Sequence, residues 1–200
     1  MPDHKIVALS ELDDVGLRSL ACLHQSVMHT LLTDLGLPLI LRYYRIAQMD
    51  ESVIGFCLVS ADGDLLGWVV GSPHPGALNA KLRSPVRWLA LQIFRLAVTR
   101  PKALWQLWLS VNSSSKHIAD DRTVELTYLG VAPHARGSGL AKSLLQAFVN
   151  AGRAAGYEAV ELSVEEDNSA ALGLYAGSGF ILKRTFVEGR FARRRMEFVL

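Results

Sequence analysis

Residues 129–145 read LGVAPHARGSGLAKSLL, a stretch that joins a strand to a helix through a glycine-rich loop. It opens on the end of a strand: VELTYLGV, 124–131, is rich in β-branched and aromatic residues. It closes on a helix running from Leu140 to Ala155 and ended by Gly156. Between them, Gly137 and Gly139 remove Cβ atoms where the backbone must turn tightly and a ligand must approach. The first N–H groups of a helix lack internal partners, and the helix dipole adds about half a positive charge there. A pyrophosphate fits such a place, and Arg136 can add a charge-assisted hydrogen bond.

Downstream, AVELSV, 159–164, is a second strand, so the unit is strand–helix–strand with a right-handed crossover. Ser169 to Ala176 reads as a short helix ending near Gly177. Phe180–Phe186 and Phe191–Val199, joined at Glu188-Gly189, read as a closing hairpin. Upstream, 5–9 is a strand. Ser10 then offers an N-cap, with Asp13 three residues on, to a helix carrying Leu20, Leu23, Val27 and Leu31 and stopped at Asp34-Leu35-Gly36. A second helix spans 39–49. Val53–Val59 and Leu65–Gly71 form a hairpin about Asp62-Gly63. SPHPG, 72–76, breaks the chain.

Two common phosphate motifs are excluded. No GxxxxGK[ST] string occurs, and Gly137-Ser138-Gly139 is followed by Leu140-Ala141-Lys142, so the third glycine of a dinucleotide fingerprint is missing. The string RGSGLA instead matches [QR]-x-x-G-x-[GA], the acyl-CoA pyrophosphate loop of the GNAT superfamily of N-acetyltransferases. Val131-x-Pro133 leads into that loop. Asn168-x-x-Ala171-x-x-x-Tyr175-x-x-x-Gly179-Phe180 resembles the family's second signature. The resemblance is specific over 124–182, consistent over 5–71, and silent over 72–122.

The resemblance implies an α/β (α+β) fold: one domain, 1–200, with a mixed, mostly antiparallel sheet of six or seven strands, flanking helices and a helical insertion at about 72–122. It implies acetyl-CoA as co-substrate and no metal. The strands 124–131 and 159–164 would splay apart, with the pantetheine arm in the gap. Backbone groups of Leu129, Gly130 and Val131 would hold that arm like an added strand. Arg136, Gly137, Ser138, Gly139, Leu140 and Ala141 would hold the pyrophosphate, supported by Lys142 and Ser143. Asn168 and Ala171 would fix the cofactor's far end, although Asn168 also suits a plain N-cap.

The implied chemistry is direct acetyl transfer from a thioester to a primary amine. The amine must lose a proton, the oxyanion needs a donor, and the leaving thiolate benefits from a proton. Tyr175 stands at the family's usual acid position, and the backbone N–H of Val131 is the oxyanion donor. Glu125 is chosen as base. It precedes Val131 by six residues and by strand alternation shares its face, and some family members carry a catalytic glutamate there. A solvated or substrate-binding glutamate is the alternative, as is a water relay through Thr127 and Tyr128.

Composition limits the remaining readings. Half of the 200 residues are hydrophobic and a fifth charged, which suits a globular chain. A net charge of +2 is too small for a protein held to nucleic acid by bulk charge. No apolar run reaches the roughly 18 residues of a membrane span. No secretory leader is apparent, so a cytoplasmic protein is expected. Cys22 and Cys57, both in apolar runs, read as buried thiols. His24 and His29 are five apart and point away from each other on a helix, which argues against a metal.

The acceptor, a small-molecule or peptide amine, is not specified. Arg190, Arg193, Arg194 and Arg195 suit either an anionic acceptor or a solvated edge strand. Residues 78–111 carry Trp88, Trp105 and Trp108; two helices are expected there, covering the acceptor pocket or pairing with a second copy in a homodimer. A non-catalytic acyl-CoA sensor and a membrane-surface protein using the tryptophans are the competing functions.

Overall fold

The computed structural model describes residues 4–83, 121–188 and 191–200. Strand β1, His4–Ala8, leads through a short 3-10 turn, Leu9–Glu11, into helix α1, Asp14–Val27. Asp13, not Ser10, caps α1: its carboxylate accepts from Gly16 N at 2.7 Å. The expected single helix to Leu35 is two. Extended backbone at Met28 ends α1, and α2, Leu31–Leu35, restarts from a Thr30 cap. Gly36, at φ +92°, then turns the chain into α3, Leu37–Gln48, with Pro38 in its first turn.

The hairpin β2, Ile54–Ser60, and β3, Leu65–Ser72, follows as expected. Helix α4, Pro75–Arg83, starts inside the stretch read as a break. The rest of the expected insertion, with its three tryptophans, lies outside the described residues. Then come β4, Thr123–Val131; α5, Leu140–Ala154; β5, Ala159–Glu165; α6, Ser169–Gly177; β6, Ile181–Glu188; and β7, Phe191–Val199.

The seven strands form one sheet in the order β1-β2-β3-β4-β5-β7-β6. Only β4 and β5 are parallel; every other neighbour pair is antiparallel. Side-chain alternation gives the sheet two cores. On one face Leu58, Val69, Val124, Leu126, Val160 and Leu162 pack against Leu144, Leu145 and Phe148 of α5, and α6 joins them through Tyr175. On the other, Cys57, Trp68 and Val70 pack against Leu17, Leu20 and Ala21 of α1 and Ile40, Tyr43 and Tyr44 of α3.

Strand β7 lies between β5 and β6, so its arginines are not on an edge strand; β6 is the edge. Cys57 is buried as expected, but Cys22 is exposed, on the outer side of α1. No helix among the described residues is long and apolar enough to cross a membrane.

The pairing of β4 with β3 is irregular at one point. It steps from Val70↔Tyr128 to Gly71↔Leu126, which leaves Thr127 as an extra residue on β4. This is a β-bulge, and it inverts side-chain parity along the strand. Gly71 sits opposite it. A Cβ there would run into the Glu125 carbonyl oxygen and lie 2.5 Å from Phe148 Cζ, so only glycine lets β4 come this close.

Candidate active site

Strands β4 and β5 pair only from Thr123↔Ala159 to Leu126↔Leu162. Beyond that both continue, to Val131 and Glu165, without pairing to each other. The gap leaves a row of backbone groups open. Ala132 N donates to Leu66 O at 2.8 Å, so Leu66 and Ala132 are a hydrogen-bonded pair. By antiparallel alternation Gly130 and Tyr128 also bond to β3, while Leu129 and Val131 turn their backbone N–H and C=O groups toward the gap. Among the described residues no strand meets them there. Arg136 Nε, 3.4 Å from Val131 O, covers the end of the row.

Immediately after this edge the chain makes a 3-10 turn, Pro133–Ala135, and enters α5. Gly137 and Gly139 stand at φ +78° and +83°, the left-handed region where a side chain is strained. Gly139 is the N-cap of α5, and no side chain caps the helix. Its first N–H groups, at Leu140, Ala141 and Lys142, therefore have no capping side chain, which is the arrangement an anion can complete. Ser138 Oγ donates to Ala135 O at 2.5 Å and Ser143 Oγ to Gly139 O at 3.5 Å.

The bulge corrects one expectation. Glu125 does not share the face of Val131. Val124, Leu126, Leu129 and Val131 all contribute to the α5 side, and Glu125 faces the α3 side with Tyr128. There it accepts from Arg195 Nη2 at 2.9 Å. Arg195 also donates through Nε to Glu161 at 2.8 Å and through Nη1 to Ser163 Oγ at 2.9 Å. Lys183 donates to Glu161 and to Glu197, each at 2.7 Å.

Sheet register explains the grouping. Glu125, Glu161 and Glu197 are cross-strand partners in one row over β4, β5 and β7. The Arg195 and Glu161 side chains are 7% and 8% exposed, against 23% for Glu125. Burial works to lower the Arg195 pKa, but its bonds to Glu125 and Glu161 outweigh that and raise it.

Sequence reasoning left out Glu161 and Lys183 and did not join Arg195 to Glu125, because their meeting depends on register between strands that are distant in sequence. Of the basic cluster, Arg190 lies outside the described residues, and the other three arginines are paired with carboxylates. Arg193 pairs with Glu188 at 3.0 Å and Arg194 with Glu166 at 2.8 Å.

Tyr175 is buried in the α5-side core, 5.7 Å from the Phe180 ring, and burial raises its pKa to about 12. Asn168 is the N-cap of α6, its side chain accepting from Ala171 N at 3.1 Å. The α3 side of β4 is lined by aromatics. His24 Nδ1 lies 2.7 Å from Tyr44 Oη, and its ring packs edge-on against Tyr128 at 4.8 Å. Burial lowers the His24 pKa to about 4, so the ring is neutral at pH 7. Among the described residues no group of three acidic, His or Cys side chains is placed to hold a metal ion.

Known proteins share this architecture. A GCN5-related N-acetyltransferase from Kribbella flavida superposes with a TM-score of 0.63 at 14% identity, covering 98% of each chain. The ribosomal-protein-S18-alanine N-acetyltransferase of Escherichia coli gives 0.59 at 14% identity over 98% of this chain and 94% of that one. At such identities the likeness is one of fold.

In sequence, a mycothiol acetyltransferase from Geodermatophilus obscurus is 33% identical over 124 residues, 60% of this chain and 40% of that protein. One from Beutenbergia cavernae is 40% identical over 77 residues, 38% of this chain and 24% of that protein. The chain thus spans two-fifths or less of the length of these curated relatives. The family model described as "Acetyltransferase (GNAT) family" matches residues 25–180, a span that holds the parted strands, the uncapped helix and the Asn168–Phe180 signature, and the chain belongs to that family.

Proposed function

We propose that this chain is an N-acetyltransferase that moves an acetyl group from acetyl-CoA to a primary amine. The observation that carries the reading is the open row of backbone groups at Leu129 and Val131, running straight into the uncapped N-terminus of α5. An amide-bearing arm can add to that row as a strand would, and a pyrophosphate can end on the helix. Arg136, Gly137, Ser138, Gly139, Leu140, Ala141, Lys142 and Ser143 form the phosphate end, with Lys142 supplying charge. Asn168 caps α6 through its side-chain oxygen and, with Ala171, would fix the loop at the cofactor's far end.

Acetyl-CoA supplies a thioester carbonyl when bound; the chain's residues do the rest. Val131 N–H donates to the carbonyl oxygen as charge builds there. Glu125 takes the proton that the attacking amine loses as the N–C bond forms and the C–S bond breaks. Tyr175 donates a hydrogen bond to the departing sulfur. With its pKa near 12, complete transfer to a thiolate whose acid form titrates near 8.5 runs uphill, so the phenol steadies the leaving group rather than delivering its proton outright.

Glu125 and Tyr175 lie on opposite faces of the sheet. The gap between β4 and β5 is where an acceptor from the α3 side meets a donor on the α5 side. The row Glu125–Arg195–Glu161–Lys183–Glu197 alternates in sign and carries one net negative charge, which suits an acceptor that arrives as an ammonium. The similarity to mycothiol acetyltransferases supports an acceptor of the small-molecule class. Release of CoA across a panel of alkylamines, amino sugars and peptide N-termini tests the reading. Acetyl-CoA binding with no turnover of any amine would make this a sensor instead.

A further inference from the structure

Arg195 is almost fully buried, yet it stands on a central strand beside the point where β4 and β5 part. A buried guanidinium is costly unless its donors are satisfied. Here three donors are committed to three different groups: Nη2 to Glu125, Nε to Glu161 and Nη1 to Ser163. Glu161 is itself held from the far side by Lys183, which Glu197 also binds. Glu125 is the most exposed of the three carboxylates in the row, and it stands one residue before the last β4–β5 pair. Among the described residues, the groups around it are Arg195 on β7, Glu161 on β5, Ser72 opposite on β3 and the Tyr43 phenol on α3. Arg195 is the only cation among them.

We propose that Arg195 is a positioning residue of the transferase site, orienting the Glu125 carboxylate at the mouth of the gap so that it can accept the amine proton. The proposal rests on the transferase reading. The planar fork fixes one Glu125 oxygen while leaving the carboxylate's other oxygen for the acceptor, and the positive charge offsets Glu161 next door. Without Arg195, two glutamates one strand apart would face each other with no cation between them, and the pair would take up a proton more readily.

The test uses the full chain, with Arg195→Gln (charge and fork removed) and Arg195→Lys (charge kept, fork removed). Acetyl-CoA melting shifts confirm that both variants retain the cofactor site. With the fastest acceptor among benzylamine, glucosamine and an alanyl peptide, both variants should lose about 10- to 100-fold in kcat, the worth of a hydrogen bond to a charged group, with KM for the amine little changed. The acid limb of the pH–rate profile should move to higher pH in Arg195→Gln and stay near wild type in Arg195→Lys. A merely structural role would lower stability and leave the limb in place.

An infrared readout needs no turnover. Arg195→Gln should show a protonated-carboxyl C=O band at a pH where wild type has none, and adding Glu125→Gln should remove that band. Failure to turn over any amine would sink the transferase reading and leave this spectrum to decide the role of Arg195. An unmoved acid limb together with an unchanged carboxyl band would overturn the proposal.

Discussion

Gly139→Asp separates the phosphate site from every other feature of the loop. At φ +83° a side chain is strained, but a Cβ there meets nothing within 4 Å, so the change is one of backbone preference and charge, not of crowding. Asp and Asn tolerate the left-handed region better than other residues, which makes Gly139→Asn the neutral control. Two unit charges 4 Å apart repel by about 1 kcal/mol in water and about 4 kcal/mol at a protein surface of effective dielectric 20. Gly139 is exposed, so a value of about 2 kcal/mol is reasonable, equivalent to roughly 30-fold weaker binding.

At a concentration 100 times the wild-type Kd, acetyl-CoA stabilises the protein by about 2.7 kcal/mol. For a chain of this size that is roughly a 5–11 °C rise in Tm. In Gly139→Asp the same concentration is only about three times Kd, giving about 0.8 kcal/mol and roughly 2–3 °C. Gly139→Asn should keep most of the wild-type shift. Differential scanning fluorimetry with and without acetyl-CoA reads both. An Asp variant whose acetyl-CoA shift equals that of wild type would show that no phosphate sits at the start of α5.

Tyr175→Phe keeps the packing against Phe180 and removes the hydroxyl, so kcat should fall about 10- to 10³-fold with the acetyl-CoA melting shift unchanged; an unaltered kcat assigns Tyr175 to packing alone. His24 is held neutral in the fold, with its pKa lowered from 6.5 to about 4, so the unfolded chain binds the extra proton. Its contribution to stability is fully present above pH 6.5 and is lost as pH falls toward 4, by about 3 kcal/mol at most. Denaturant melts should therefore fall less steeply over that window in His24→Phe than in wild type. Gly71→Ala drives a methyl into the β4 backbone and Phe148, and should cost about 3 kcal/mol, or roughly 6–12 °C in Tm. A loss under 2 °C would mean that the bulge is not built on that close approach.

The sequence reading succeeded where the signal is local. The β4–α5 loop, the Asn168 cap and the hairpins each rest on residues within a few positions of one another, and their elements stand within two residues of the expected limits. It failed where one residue changes parity or a partner comes from far along the chain. Thr127 gives no sign in the sequence that it is an extra residue, because bulging is decided by Gly71 on another strand. The arginines of β7 read as an edge because nothing local reveals that β7 inserts between β5 and β6. Arg195 meets Glu125 across 70 residues of sequence, and no spacing rule reaches that far.

The bulge links these pieces into one requirement. Leu129 and Val131 must send their side chains into the α5 core while their backbone groups stay open to the gap. In a regular strand Glu125, four and six residues before them, would point into the same apolar core near Phe148. An unpaired carboxylate buried there would be held neutral or would cost several kcal/mol. The extra residue at Thr127 turns Glu125 to the opposite face, where Arg195 and the polar row receive it. Gly71 permits that extra residue by giving up its own side chain. The backbone that would bind the cofactor arm and the carboxylate that would receive the amine proton thus share one strand, and a one-residue irregularity assigns them to the two sides from which donor and acceptor must come.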